Sequence, residues 1–214
     1  MLGSGLSMPL RANRYFVAFL EGDDAGMNQQ LEWAKGKFEA EATLLYYAGQ
    51  TLAFHGRFTR ARTLTEEAQT AAEHGDGRRR VSEYDVGSAW REAEVGNLAL
   101  ARQYLAKAPT SGVNRDEGSM TAIALATAGD IPAATRLADE LNRKYPSDTR
   151  TQDYVLPAVR ALVELKLGKP SIIGRHHKRE VSAGQFKLAR RLQYLDRVRC
   201  TALPAKYYGV LTWY

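Results

Sequence analysis

A glycine recurs along the chain at intervals that stay close to one repeat length. The glycines are separated by 34, 40, 33 and 39 residues, and each follows a stretch of residues compatible with a helix. They are Gly22, Gly56, Gly96, Gly129 and Gly168. Because a glycine just past a helix end adopts the left-handed conformation without steric cost, the chain can close one helix there and reverse into another. The spacing therefore predicts a series of antiparallel helical hairpins.

Small residues stand at fixed distances from these glycines. Seven positions before the glycine are Gly49, Ala89, Ala122 and Ala161, and five positions after it are Ala61, Ala101 and Ala134. The offsets fall on one face of a helix with a period of about 3.6 residues, and no alternation of period two competes with them. The sequence therefore predicts an all-α fold in which small residues let paired helices approach closely.

A helix–turn–helix unit of about 34 residues with small residues at these places resembles the tetratricopeptide repeat. The most complete unit runs over residues 42–75, and the unit around Gly129 adds Pro146, a helix-ending proline typical of the family. The resemblance implies a right-handed α-solenoid of antiparallel hairpins over residues 1–170. The segments WREAEVGNLALARQYL and ALATAGDIPAATRLADELNRKYP are similar to the C-terminal repeat region of acidobacterial-type serine/threonine kinases and winged-helix regulators.

No catalytic signature accompanies the repeats. The chain has no glycine-rich phosphate loop followed by a strand lysine, no H-R-D-type catalytic loop and no D-F-G sequence. We therefore expect a non-catalytic scaffold without a cofactor or a metal, resembling the accessory module of a bacterial signalling kinase. Its expected partner is a peptide or a protein domain.

The resemblance also implies where such a partner binds. In tetratricopeptide arrays the first helix of each hairpin lines a concave groove, and groove positions can be carried over by their distance from the turn glycine. They are Tyr46, Gln50, Val86, Trp90, Ser119 and Ile123, with Glu83 and Asp116 near the rim. Aromatic residues on such a face resemble interface hot spots. The alternative, that Tyr46 and Trp90 pack between repeats, stays open.

The repeat pattern stops after Gly168, and the charge changes there. Residues 171–214 hold nine basic and two acidic residues, a net charge of +7, whereas residues 1–170 hold 21 basic and 22 acidic residues, a net charge of −1. The segment is either a genuine basic tail, with a helix over 183–199, or the product of a reading-frame change or truncation. A broken fifth hairpin predicts self-association through its uncapped apolar end. The alternative function is nucleic-acid or anionic-membrane binding through the tail, which mixes positive charge with aromatic residues.

Composition excludes several other classes of protein. The single cysteine, Cys200, excludes an internal disulfide and a multi-cysteine zinc site. His176 and His177 are adjacent and would point apart on a helix, so they do not predict a metal site. No apolar run approaches the ~18–20 residues that cross a bilayer, and the first residues lack the apolar core of a signal peptide. The sequence therefore predicts a cytoplasmic protein.

Overall fold

The computed structural model describes residues 7–74, 78–108 and 114–169, and within these ranges the chain consists of helices joined by short turns. The predicted all-α fold is confirmed. The helices are α1 (Met8–Glu21), α2 (Asp24–Ala34), α3 (Phe38–Phe54), α4 (Phe58–Glu73), α5 (Arg78–Glu94), α6 (Leu98–Leu105), α7 (Arg115–Ala128), α8 (Ile131–Lys144) and α9 (Leu156–Lys166), the last preceded by a π-helical turn, Arg150–Val155. The predicted basic tail, with its helix, Cys200 and the histidine pair, lies outside the described residues.

Each of the five recurring glycines follows a helix and has φ between 72° and 83°. The turn between α7 and α8 illustrates the consequence. Gly129 donates its N–H to the carbonyl of Ala126, and Asp130 donates to that of Leu125 at 2.9 Å, which satisfies the end of α7. The Asp130 carboxylate then accepts from the N–H of Ala133 and caps the start of α8. Two residues thus end one helix and begin the next.

The chain divides into two compact units, and the first comprises residues up to Tyr84. It contains α1 to α4 and the first part of α5. Its core combines a few large side chains, among them Tyr15 and Leu44, with buried alanines. Gly49 lies on the α3 side of the contact with α4, where an added Cβ would come within 3.0 Å of the Ala61 carbonyl oxygen. The small residues at these two positions therefore permit close packing of the hairpin.

The second unit begins at Asp85 and contains the remainder of α5 and α6 to α9. Alanine is the most frequent buried apolar residue in the described parts of both units. Larger side chains fill the space between the alanine-rich surfaces of this unit, notably Leu125, Leu137 and Leu156. Because most of the buried apolar residues are alanines, the apolar area that each contributes is small.

A charged pair is buried in the second unit. Arg91 and Glu92 expose 4% and 0% of their surfaces, and Nε of Arg91 lies 3.5 Å from Oε1 of Glu92. Asn97, just past the turn glycine, donates from Nδ2 to the Glu92 carboxylate at 3.0 Å. The guanidinium nitrogens of Arg91 are buried without a hydrogen bond. The buried Glu92 carboxylate is therefore partnered by the adjacent Arg91 cation and by the Asn97 side chain of the following turn.

The π-helical turn precedes a proline within a continuous helical stretch. Pro157 lacks an N–H and would clash with the carbonyl four residues earlier in a regular α-helix, and the wider π-helical turn accommodates it. Asp148 caps the stretch by accepting from the backbone N–H and the hydroxyl of Thr151, both at 2.7 Å. Nη1 of Arg115, at the start of α7, donates to the same carboxylate at 3.1 Å. The Asp148 carboxylate thus connects the final helical stretch to α7 through hydrogen bonds to both.

Candidate peptide-binding surface

In the first unit, a series of contacting aromatic rings runs across α1, α3 and the beginning of α5, which are the first helices of successive hairpins. Phe16 on α1 lies 4.8 Å from Tyr47 on α3, measured between ring centroids, and Tyr47 lies 6.1 Å from Tyr46. Tyr46 in turn stacks on Tyr84 of α5 at 4.4 Å, with 19° between the ring planes. Neighbouring residues on an α-helix point about 100° apart, so Tyr47 reaches Phe16 of α1 while Tyr46 reaches Tyr84 of α5. We call Phe16, Tyr47, Tyr46 and Tyr84 the aromatic row.

The members of the aromatic row differ in exposure. Phe16, Tyr46 and Tyr47 are half-buried, whereas Tyr84 exposes only 3% of its surface. Burial, followed by the proximity of Tyr84, raises the pKa of Tyr47. Burial likewise raises the pKa of Tyr84, and its hydrogen bond to Thr43 opposes this effect only in part. Both phenols therefore stay protonated at neutral pH and can donate hydrogen bonds.

A polar group borders the aromatic row where α3 meets α5. Nη2 of Arg80 donates to Oε1 of Glu39 at 2.7 Å, and its Nη1 lies 3.4 Å from the hydroxyl oxygen of Thr43. The Tyr84 hydroxyl donates to the same oxygen at 3.4 Å. Glu83 is half-buried and acts electrostatically on Tyr47, Tyr84 and Arg80. The surface thus offers partly exposed rings beside one cation and two carboxylates.

Tyr46, Gln50 and Glu83 were predicted as groove or rim residues, and all three lie in the first unit. Tyr46 belongs to the aromatic row, and Glu83 belongs to its polar border. Gln50 is one turn after Tyr46 on α3 and half-buried, and its Nε2 is a buried donor without a hydrogen-bond partner. Tyr46 and Glu83 are therefore brought to one surface, with Gln50 beside Tyr46 along the helix.

The five predicted residues of the second unit are arranged differently. Val86 and Ser119 expose 1% and 5% of their surfaces, so neither offers contact area to a partner. Val86 packs in the core because its position faces the neighbouring helices, and the Ser119 hydroxyl donates to the carbonyl of Arg115 at 2.6 Å. Trp90 and Ile123 are partly buried and pack against the same core. Burial thus removes Val86 and Ser119 from a contact surface, whereas Trp90 and Ile123 keep partly exposed side chains, as Tyr46 and Tyr47 do.

Asp116, the predicted rim residue of α7, is exposed but occupied by ion pairs. Its Oδ1 accepts from Nε of Arg115 at 2.9 Å and from Nη1 of Arg150 at 3.3 Å. Because Arg115 also binds Asp148, these four side chains form one network within the second unit. Exposed ion pairs contribute little stability individually, so replacing one of the two arginines by another cation would cost the fold little.

Several residues of this surface were not among those predicted from the sequence. Phe16 stands six positions before Gly22, and Gln50 stands six positions before Gly56, so the same offset would have identified it. Tyr47 is adjacent to a predicted residue and could have been included as an aromatic neighbour. Arg80 was not predicted as a groove residue, because its contact depends on the approach of α5 to Glu39, 41 residues earlier.

The described residues hold no cluster of three or more histidine, cysteine, aspartate or glutamate side chains placed to bind a metal ion. Among the described helices, none combines the length and apolar character needed to cross a membrane. Comparison with known proteins gives no relative: no protein-family model matches the chain, and no curated protein or solved structure is significantly similar to it.

Proposed function

We propose that this protein is a non-catalytic interaction scaffold that binds a peptide segment of a partner protein across the aromatic row. In this proposal the helical hairpins form a tetratricopeptide-like right-handed solenoid, and the protein serves as the accessory module of a signalling system. The observation that carries the proposal is the combination of three half-buried aromatic rings with a charged border on consecutive first helices.

The chemistry of the surface suits an extended peptide. Tyrosine and phenylalanine rings provide large contact areas at a low cost in side-chain entropy, because each has only two rotatable side-chain bonds. The rings contact one another, Tyr46 stacked on Tyr84 and the other two pairs tilted, so the surface is largely organised before a ligand arrives. Apolar side chains of a peptide would pack on Phe16, Tyr46 and Tyr47. Its polar groups would exchange hydrogen bonds with the tyrosine hydroxyls, Arg80 and the two glutamates.

The proposal is tested by selecting peptides from a random library on the full chain and measuring their dissociation constants. Tyr47→Ala and Phe16→Ala are each expected to weaken binding by about tenfold or more, as truncation of aromatic hot spots does. Tyr154→Ala is the matched control, because Tyr154 is 53% exposed and lies in the second unit. Circular dichroism and urea unfolding establish that each variant is folded.

Two results would overturn the proposal: a selection that yields no binding peptide, or selected peptides that bind the folded Phe16 and Tyr47 variants as tightly as the original chain. The alternative function, nucleic-acid or membrane binding through residues 171–214, rests on a segment outside the described residues. It predicts an affinity that falls steeply with salt concentration and is lost when that segment is removed.

A further inference from the structure

The outer side of α1 carries an exposed apolar stripe. Leu10, Val17 and Leu20 expose 49%, 51% and 65% of their surfaces. They are seven and three residues apart, which places them on the same side of the helix. The residues of α1 that are buried, Ala12, Tyr15 and Ala18, lie on another side. We call Leu10, Val17 and Leu20 the leading face.

The repeat register indicates what such a face contacts. Leu10, Val17 and Leu20 stand 12, 5 and 2 residues before Gly22, and the residues at these offsets before Gly56 are Leu44, Thr51 and Phe54 of α3. Two of these contact α1 directly: the Thr51 hydroxyl lies 2.8 Å from that of Tyr15, and the Phe54 ring lies 5.5 Å from that of Phe19. Leu44 is fully buried in the same core cluster as Tyr15. On α3, therefore, these positions pack on the first helix of the preceding hairpin.

The complementary positions can be identified in the same way. The α1 residues that receive α3 are Tyr15, Phe16 and Phe19, which stand 7, 6 and 3 residues before Gly22. At the same distances before Gly168 on α9 stand Ala161, Leu162 and Leu165. Ala161 is buried at 8% exposure, Leu162 and Leu165 are only partly buried, and Leu167 beside them is 48% exposed. We call Ala161, Leu162 and Leu165 the trailing face.

The charges that flank the two faces are complementary. The contacts of Phe16 with Tyr47 and of Phe19 with Phe54 show that α1 and α3 run in parallel. A helix packed on the leading face in the same manner brings its C-terminal end beside that of α1. Three exposed acidic residues lie where α1 ends and α2 begins, and two exposed basic residues lie at and just past the end of α9, which also carries the half-buried Glu164. These are Glu21, Asp23 and Asp24 on one side and Lys166 and Lys169 on the other.

We propose that the leading face of one molecule binds the trailing face of a second copy of this chain, continuing the internal packing of first helix on first helix between molecules. Apolar residues occupy the contact positions on both faces, and opposite charges meet at their ends. The two faces are different surfaces, so the contact is heterologous and each molecule keeps one face free. Each free face can bind a further copy, so assembly beyond the dimer gives either a closed ring or an open chain.

The test is sedimentation velocity of the full chain over a range of concentrations. The original chain is expected to increase in mass with concentration. Leu20→Glu and Leu165→Glu are each expected to weaken association by about tenfold or more, because each places a charge where the proposed contact buries a leucine. Val95→Glu is the matched control, since Val95 is 48% exposed and lies on neither face. Circular dichroism establishes that each variant is folded.

A mixture of the two variants gives the decisive result. Leu20→Glu retains a working trailing face and Leu165→Glu a working leading face, so together they are expected to form a dimer that grows no further. Charge reversal adds a second arm: Glu21→Lys and Lys166→Glu each weaken association, and mixing them restores growth beyond the dimer, because both contacts between the two variants again pair opposite charges. A chain that stays monomeric at every concentration overturns the proposal. Association that survives both leucine variants, or a mixture that forms no dimer, overturns it as well.

Discussion

The hydroxyl groups of Tyr15 and Thr51 lie 2.8 Å apart and join the first helices of two successive hairpins inside the core. Thr51 donates to the carbonyl of Ala48 at 3.0 Å, so it accepts from Tyr15. Burial raises the pKa of Tyr15 to about 12, and the hydrogen bond to Thr51 offsets only part of this effect. A single buried phenol thus links α1 to α3 beneath the aromatic row.

Tyr15→Phe removes this hydrogen bond without creating a cavity. We expect the free energy of unfolding to fall by about 1 kcal/mol, the usual contribution of one buried hydrogen bond. Urea unfolding at neutral pH measures the change. Tyr154→Phe serves as the control because Tyr154 is exposed, and it is expected to leave the midpoint unchanged. Equal effects of the two substitutions would contradict this account of Tyr15.

The same residue makes stability sensitive to alkali. The pKa of Tyr15 is about 12 in the folded chain and about 10 in the unfolded chain, so ionisation favours unfolding. The contribution of the neutral phenol is complete below about pH 10 and is lost as the pH rises towards 12. Urea midpoints are measured at intervals of about one pH unit between about pH 9 and 12. As the pH rises, the midpoint is expected to fall less in Tyr15→Phe than in the original chain. Parallel curves for the two proteins would show that Tyr15 does not titrate in this way.

Substitution of Gly129 tests the left-handed turn. An added Cβ meets no neighbouring atom there, so the expected cost of Gly129→Ala, about 1–2 kcal/mol, comes from the backbone conformation alone. Gly129→Asn is expected to cost less, because asparagine tolerates this conformation better.

At Gly49 the cause of the destabilisation is steric. Gly49→Ala crowds the Ala61 carbonyl and is expected to cost about 1–3 kcal/mol. Thermal unfolding of the three variants measures these differences.

The buried charged pair of the second unit predicts strong non-additivity. Glu92→Gln leaves the Arg91 guanidinium buried without a counter-charge and is expected to cost about 3–5 kcal/mol. Arg91→Met leaves the carboxylate with a hydrogen bond from Asn97 but without the adjacent cation. The double variant Arg91→Met/Glu92→Gln is expected to be considerably more stable than the sum of the single effects implies. Additive losses in urea unfolding would show that the two charges do not interact.

The lowered pKa of the Asp148 carboxyl predicts how stability changes in acid. The hydrogen bonds from the hydroxyl and the N–H of Thr151, aided by Arg115, lower the pKa of its carboxyl. A carboxyl with a lowered pKa stabilises the fold above its unfolded pKa of about 4 and loses that effect as the pH falls through its folded pKa. The gap in urea midpoint between the original chain and Asp148→Asn is therefore expected to narrow in acid. Asp139→Asn, at an exposed position of α8, is the control for a change in net charge.

The helical class and the turn positions were accessible from the sequence because they depend on local chemistry. A glycine such as Gly129 signals its own backbone conformation, and Gly49 and Ala61 signal a close helix contact by their size. Counting positions from the turn glycines predicted the candidate site less well than it predicted the turns and the close helix contacts. It placed Val86 and Ser119 in a groove, although both are buried, because offsets fix a side of a helix without stating what covers that side. Arg80 was missed since its partners are distant in sequence.

The prevalence of alanine in the core has a consequence for the thermodynamics of the whole chain. The heat-capacity change of unfolding arises mainly from newly hydrated apolar surface, and an alanine exposes much less of it than a leucine does. Calorimetry is therefore expected to give a heat-capacity increment per residue at or below the usual range of about 12–15 cal/mol/K. A small increment flattens the dependence of stability on temperature. Such a chain would keep a modest but nearly constant stability over a wide range of temperatures.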